Sequence, residues 1–222
     1  AWKKHYGLAL ALHSGAAESA YLCGAWEPLM RHVASVKAHA RSAMDQVPAR
    51  TVEIDAFIGR QEYAAAIQAA VEALSLLGVD LSEDPTIEEV TAAVTEALEM
   101  LTEVGPDAFE SLGDASDPRV LAAMRIQVRT SPIGYFHRPL LLPVIAGNLI
   151  KTSIASGLSS ATPFALALFG IVLNTQEMFP VAHTWGRLAL RLSDRYPDQS
   201  LEAASRHVLL NLVCCWMAPL HS

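Results

Sequence analysis

The chain has 222 residues, of which 52% are hydrophobic, and a formal net charge of −7. That length and apolar content allow one large domain or two small ones, and the acidic balance argues against a surface that runs along nucleic acid. No stretch reaches the run of about 18 apolar residues that a membrane-spanning helix needs, since the best candidate, 140–158, carries Asn148 and Lys151.

The charge is unevenly spread. Residues 53–117 hold sixteen acidic residues and a single basic one, Arg60, whereas 118–222 hold four acidic and nine basic. A solvated helix face explains the acidic block more simply than an acidic docking surface does. Alanine occurs 36 times; it favours helix and lets helices approach closely. The chain starts Ala-Trp-Lys-Lys, with no initiator methionine and with an amphipathic pattern already running by Tyr6. The expectation is a piece of a longer protein. Cys23, Cys214 and Cys215 have the spacing of neither a disulfide framework nor a metal site. That suits a reducing compartment, and a cytoplasmic location is expected.

Apolar positions recur at three and four residues, the spacing of amphipathic helices. Tyr6, Leu10, Ala17 and Tyr21 outline a first helix, and Trp26, Leu29, Val33 and Val36 a second. Pro48 suits the first turn of a third, where its missing N–H costs nothing. Tyr63, Ala66, Ala70 and Leu74 mark a fourth, and Gly78 stands where a helix C-terminus prefers glycine. Asp84 or Thr86 can cap a fifth, with Glu88 and Glu89 in its first turn. That helix is expected to end near Gly105-Pro106. Residues 106–118 read as a linker between a half at 1–105 and a half at 119–222. Asp117-Pro118 opens the next helix, Ser131 to Pro139 is expected to bend, and further helices are expected near 140–157, 162–174, 177–194 and 199–216. No stretch alternates at period two, so no sheet is expected.

A weak internal repeat is present. Trp26, Tyr63 and Phe179 each follow a short turn, and Leu29, Ala66 and Ala182 stand three residues later. In a helical hairpin the aromatic wedges the second helix against the first, and the smaller residue lets them touch. One hairpin cannot cover its own apolar face, so neighbours must stack. The expected fold is therefore all-α, with antiparallel hairpins stacked as a tetratricopeptide-like solenoid.

Three stretches, ESAYLCGAWEPL at 18–29, residues 39–90 and residues 162–195, resemble the tetratricopeptide-like region of large multidomain signalling proteins. The resemblance is most specific in Ala73 to Leu81 and in Trp185 to Leu190. In that family the region follows a STAND-type, AAA-like ATPase module. It often precedes GAF sensor and histidine-kinase domains, and a serine/threonine-kinase-like domain can stand at the N-terminus. The family's usual glycine in the turn before Tyr63 is Gln61 here. The resemblance implies a relay or ligand-sensing scaffold, not a catalyst, with other domains of the parent protein or a peptide or protein as partner.

The chain carries no Walker-type glycine-rich loop and no kinase motif set. Ser159-Ser160 lacks a Gly-x-Ser-x-Gly frame. His32 and His39 are seven apart, not the three or four of a metal pair, so no metal and no cofactor are expected. Cys214-Cys215 has only His207 and His221 as nearby candidates to lower a thiol pKa. The best candidate binding stretch runs from Arg129 to Arg138. It mixes cations with aromatics, and Arg129, Tyr135, His137 and Arg138 are its candidate contacts. A bend with Tyr135 and Phe136 in the core is the simpler reading. His183 and Arg187, beside Trp185, form a second candidate group. The alternatives to a scaffold are a helical enzyme or sensor with a pocket between the halves, and the helical part of an ATPase-linked transcriptional regulator.

Overall fold

The computed structural model describes residues 2–217, with Gln199 and Ser200 described in backbone only. Among these residues there are eleven α-helices and no strand. None is long and apolar enough to cross a membrane. By compactness the chain divides into two units, Ala1–Glu83 and Asp84–Ser222.

The first unit holds α1 (Tyr6–Leu22), α2 (Trp26–His39), α3 (Ala43–Gly59) and α4 (Tyr63–Leu76). The helices α1 and α2 form one hairpin, α3 and α4 another, and α3 packs on both helices of the first. Its core is built from Ala17, Ala20, Leu29, Val33, Val36, Ala49 and Ala56, flanked by Trp2, Leu10, Trp26 and Val52. So many alanines at the seams keep the helix axes close. The third helix starts five residues before Pro48, because Ser42 and Asp45 make a reciprocal capping box. Pro48 therefore lies inside the helix, one turn deeper than the sequence suggested.

The hairpin turns repeat a single geometry. Gly24, Gln61 and Glu177 each take a left-handed conformation, with φ of 68°, 60° and 60°. In each turn the following amide reaches back to close a wide loop: Ala25 N–H to Ala20 O, Glu62 N–H to Phe57 O, and Met178 N–H to Leu173 O. This pairing satisfies carbonyls that a helix end leaves open. The next residue in each case is the aromatic that starts the second helix: Trp26, Tyr63 or Phe179. Three residues on, Leu29, Ala66 and Ala182 are buried. The weak repeat in the sequence thus marks three hairpins with one shared turn.

The second unit contains α5 (Ile87–Val104), α6 (Pro106–Glu110), α7 (Pro118–His137), α8 (Leu141–Ser156), α9 (Thr162–Thr175), α10 (Phe179–Arg195) and α11 (Gln199–Val208). Thr86 and Glu89 cap α5 reciprocally, and Asp117 caps α7 ahead of Pro118. Residues 106–118, read from sequence as a linker, lie inside this unit. They form α6 and then run to Asp114, which makes an isolated bridge with Leu158. Arg191 of α10 grips the Glu110 carboxylate with two nitrogens, Arg195 reaches Asp114 at 2.9 Å, and the Tyr196 hydroxyl also donates to Asp114.

The unit is built around α9. All its residues from Thr162 to Gly170 are buried, as are Val172 and Leu173. A helix apolar on every side must be enclosed, and α8, α10 and α11 pack around it. On the other flank α5 lies against α8, so closely that a Cβ on Gly147 would fall 2.7 Å from the Ala93 carbonyl oxygen. The acidic face of α5, with Glu88, Glu89, Glu99 and Glu103, is exposed. Beyond Val208 the chain widens into a π-helical turn at Leu209–Val213 and tightens at Cys214–Trp216, in place of the single helix expected over 199–216. Glycine makes room for it: a Cβ on Gly170 would meet Val213 at 2.9 Å, and one on Gly186 would meet the Cys214 sulfur at 3.2 Å. Asn174 donates to the Leu212 carbonyl at 2.9 Å, an acceptor the wide turn leaves open.

Candidate functional site

The expected bend at 131–139 is absent, since α7 continues to His137. Pro132 has no N–H to offer the carbonyl of Val128. The buried hydroxyl of Ser131 takes its place, donating to the Val128 carbonyl at 2.8 Å. With helical geometry kept, Ile133 and Gly134 turn inward against α8, where a Cβ on Gly134 would stand 3.0 Å from the Leu142 nitrogen. Tyr135 and Phe136 are then carried outward, 42% and 72% exposed. The simpler reading of the sequence, which placed both rings in the core, is corrected here. The rings meet edge to face, with centroids 4.9 Å apart.

They border a groove of about 440 Å³ in the second unit. Ser131, Pro132, Tyr135 and Phe136 form one wall, Phe164, Leu168 and Ile171 of α9 form the floor, and the far side comes from α11 and the π-helical turn, including Val208 and Leu212. His207 and the Tyr135 phenol are the titratable side chains in this lining. The volume falls in the range of small-molecule and peptide-anchor pockets, about 300–1,000 Å³.

Of the candidate residues read from sequence, Tyr135 lines the groove. Arg129 is exposed on the same face of α7, two turns before Phe136, and His137 and Arg138 are exposed at the helix end. Arg138 pairs with Asp84 at 3.0 Å. His183 is half-buried and Arg187 exposed on α10, and neither lines the groove. Arg187 instead bears on Cys214, whose thiol is pushed up by burial, with Arg187 pulling the other way. A raised thiol is the opposite of an activated nucleophile. Cys215 donates to the Asn211 carbonyl, and His221 lies outside the described residues.

The floor residues Phe164, Leu168 and Ile171 were invisible as site residues, because in sequence they carry the same periodicity as any core helix. Ser159 is buried, its backbone amide bonded to Thr162 and its hydroxyl beside Met124. Among the described residues no group of three or more His, Cys, Asp or Glu side chains is placed to hold a metal ion.

A smaller cavity of about 230 Å³ in the first unit lies by the shared turns, lined by Tyr21, Trp26, Leu29, Ala56 and Arg60. The Arg60 guanidinium lies 4.4 Å from the centre of the Trp26 ring and pairs with Glu62 at 2.6 Å. Its cation is already engaged at the mouth. No family model matches the chain, and the searches found no curated protein and no solved structure that matches it.

Proposed function

We propose that this chain is a non-catalytic interaction scaffold whose groove in the second unit receives an amphipathic helical segment of another domain or protein. The observation that carries this reading is the pair Tyr135 and Phe136, held outward on a helix that a buried serine keeps continuous across a proline. Large apolar rings in water are costly unless something covers them. The groove beside them is walled by Ser131 to Phe136 of α7 and floored by Phe164, Leu168 and Ile171 of α9, and apolar grooves between helices are a recurring seat for amphipathic helices.

Charge narrows the partner. The lining contains no carboxylate, and Arg129 is exposed on the same face of α7, while Arg138 just past the helix end is paired with Asp84. A helix with apolar residues on one face and glutamates beside them fits that edge. Within the family that the sequence resembles, the partner would be another domain of the same signalling protein, and the three hairpins would belong to a stacked solenoid.

The test uses a fluorescein-labelled model helix with leucine and phenylalanine at i, i+3, i+4 and i+7 and glutamate on its flanks. Binding to the full chain should be measurable by anisotropy and should weaken at least about tenfold in Phe136→Asp, the loss expected when a charge replaces a buried apolar anchor. Equal binding to Phe136→Asp, or no binding by either protein, defeats the proposal.

A further inference from the structure

We propose that His13 and His32 form a one-proton latch that fastens the first hairpin and releases it on acidification. His13 stands on α1 and His32 on α2, with their Nδ1 atoms 3.0 Å apart. At that distance the two nitrogens share one hydrogen bond, in which one ring donates a proton and the other accepts with its lone pair. The arrangement has room for one proton between the rings. When both rings are imidazolium, two N–H groups face each other, the bond is lost and two like charges meet across the helix pair.

The surroundings set the direction. Both rings are half-buried. The face of Trp2 stacks on His13 at 5.1 Å and on His39 at 4.9 Å. An aromatic face favours a cation, so Trp2 opposes release. Burial, with the neighbouring His32 and His39, pushes the other way and holds the His13 ring below the usual imidazole range. The other charged groups of the packed helices are engaged elsewhere or exposed. Asp45 of α3 accepts from Tyr6, with Arg41 stacked on the Tyr6 ring. Lys37 of α2 bonds Glu53 of α3, and Arg50 bonds Glu72 of α4. Glu18, Glu27 and Arg31 are exposed.

The sign follows from linkage. A histidine that is held neutral in the folded chain stabilises the fold above the ordinary value of about 6.5. That contribution is lost as pH falls below 6.5 towards the lowered folded value. The latch is separate from the groove of the second unit and does not depend on it.

The experiment follows the full chain by histidine ring NMR and by amide hydrogen exchange in α1 and α2 between pH 8 and pH 5, corrected for intrinsic exchange rates. In the wild type a strongly shifted Nδ1–H signal should vanish on acidification while protection in both helices falls several-fold. His32→Gln keeps a donor for His13 but cannot gain charge, and its protection should change by less than about twofold over the same range. His13→Gln is the parallel variant if His32→Gln folds poorly. Survival of the shifted Nδ1–H signal in the wild type at pH 5, or an undiminished acid response in the glutamine variants, overturns the latch.

Discussion

Ser131 donates its hydroxyl to the Val128 carbonyl at 2.8 Å, the acceptor that Pro132 leaves without an amide. One side chain thereby repairs the ladder and sets the direction in which Tyr135 and Phe136 point. Ser131→Ala removes a buried donor and leaves the carbonyl unpaired, a loss of about 1–2 kcal/mol. Chemical denaturation should show that loss, and the groove should bind the model helix more weakly than in the wild type. Unchanged stability would show that water or a neighbour replaces the hydroxyl.

Gln61 and Glu177 occupy the left-handed position that Gly24 fills in the first hairpin. A side chain there is strained against its own carbonyl, and glycine relieves the strain at some cost in unfolded-state entropy. Gln61→Gly and Glu177→Gly should each stabilise by about 0.5–1 kcal/mol. Because they lie in separate units, the gains should add, as thermal or urea unfolding of the double variant can show.

Gly147 and Gly15 should respond in opposite ways to alanine. At Gly147 the new methyl would fall 2.7 Å from the Ala93 carbonyl oxygen, and backbone has to move. Gly147→Ala should cost about 1–3 kcal/mol, as overpacking does. At Gly15, inside α1, nothing lies within 4 Å of the added carbon. Gly15→Ala should gain about 0.5–1 kcal/mol from helix propensity. Similar effects at both sites would contradict the α5–α8 packing described here.

Tyr196 and Glu110 should mark the alkaline and acid limits of the α6–α10 network. Burial and the bond to Asp114 push the Tyr196 hydroxyl up to about 12. Its contribution is complete below the ordinary value near 10 and is lost as pH rises towards about 12. One of the five tyrosines should therefore ionise last in tyrosinate absorbance, and Tyr196→Phe should remove that late step. The Arg191 guanidinium holds the Glu110 carboxyl below the ordinary 4.5. Its contribution is present above 4.5 and is lost as pH falls through the lowered value. Glu110→Gln should flatten the acid limb of the stability profile.

Local chemistry made much of the helical framework legible. Thr86 with Glu89, Asp117 with Pro118, and the aromatics at 26, 63 and 179 all signal helix starts by side chains that act within a few residues. Two features were not legible. Pro132 spoke for a break, and only the tertiary burial of Ser131 shows how the helix survives it. The groove is assembled from Phe164, Leu168, Val208 and Leu212, whose apolar character is the same whether a helix or an empty trough faces them. The division at Glu83/Asp84 was also hidden, because the assignment of α5 to the second unit rests on its packing against α8, a contact between residues far apart in the chain.

Enclosure of α9 constrains the order of events during synthesis. A nascent chain that has exposed α9 but not yet α10 and α11 presents a greasy rod with no cover on two sides. The second unit therefore cannot mature piecemeal from its N-terminal side. Its greasy centre is covered only once α10, α11 and the turn up to Val213 are in place, and until then that exposed surface invites association with other chains.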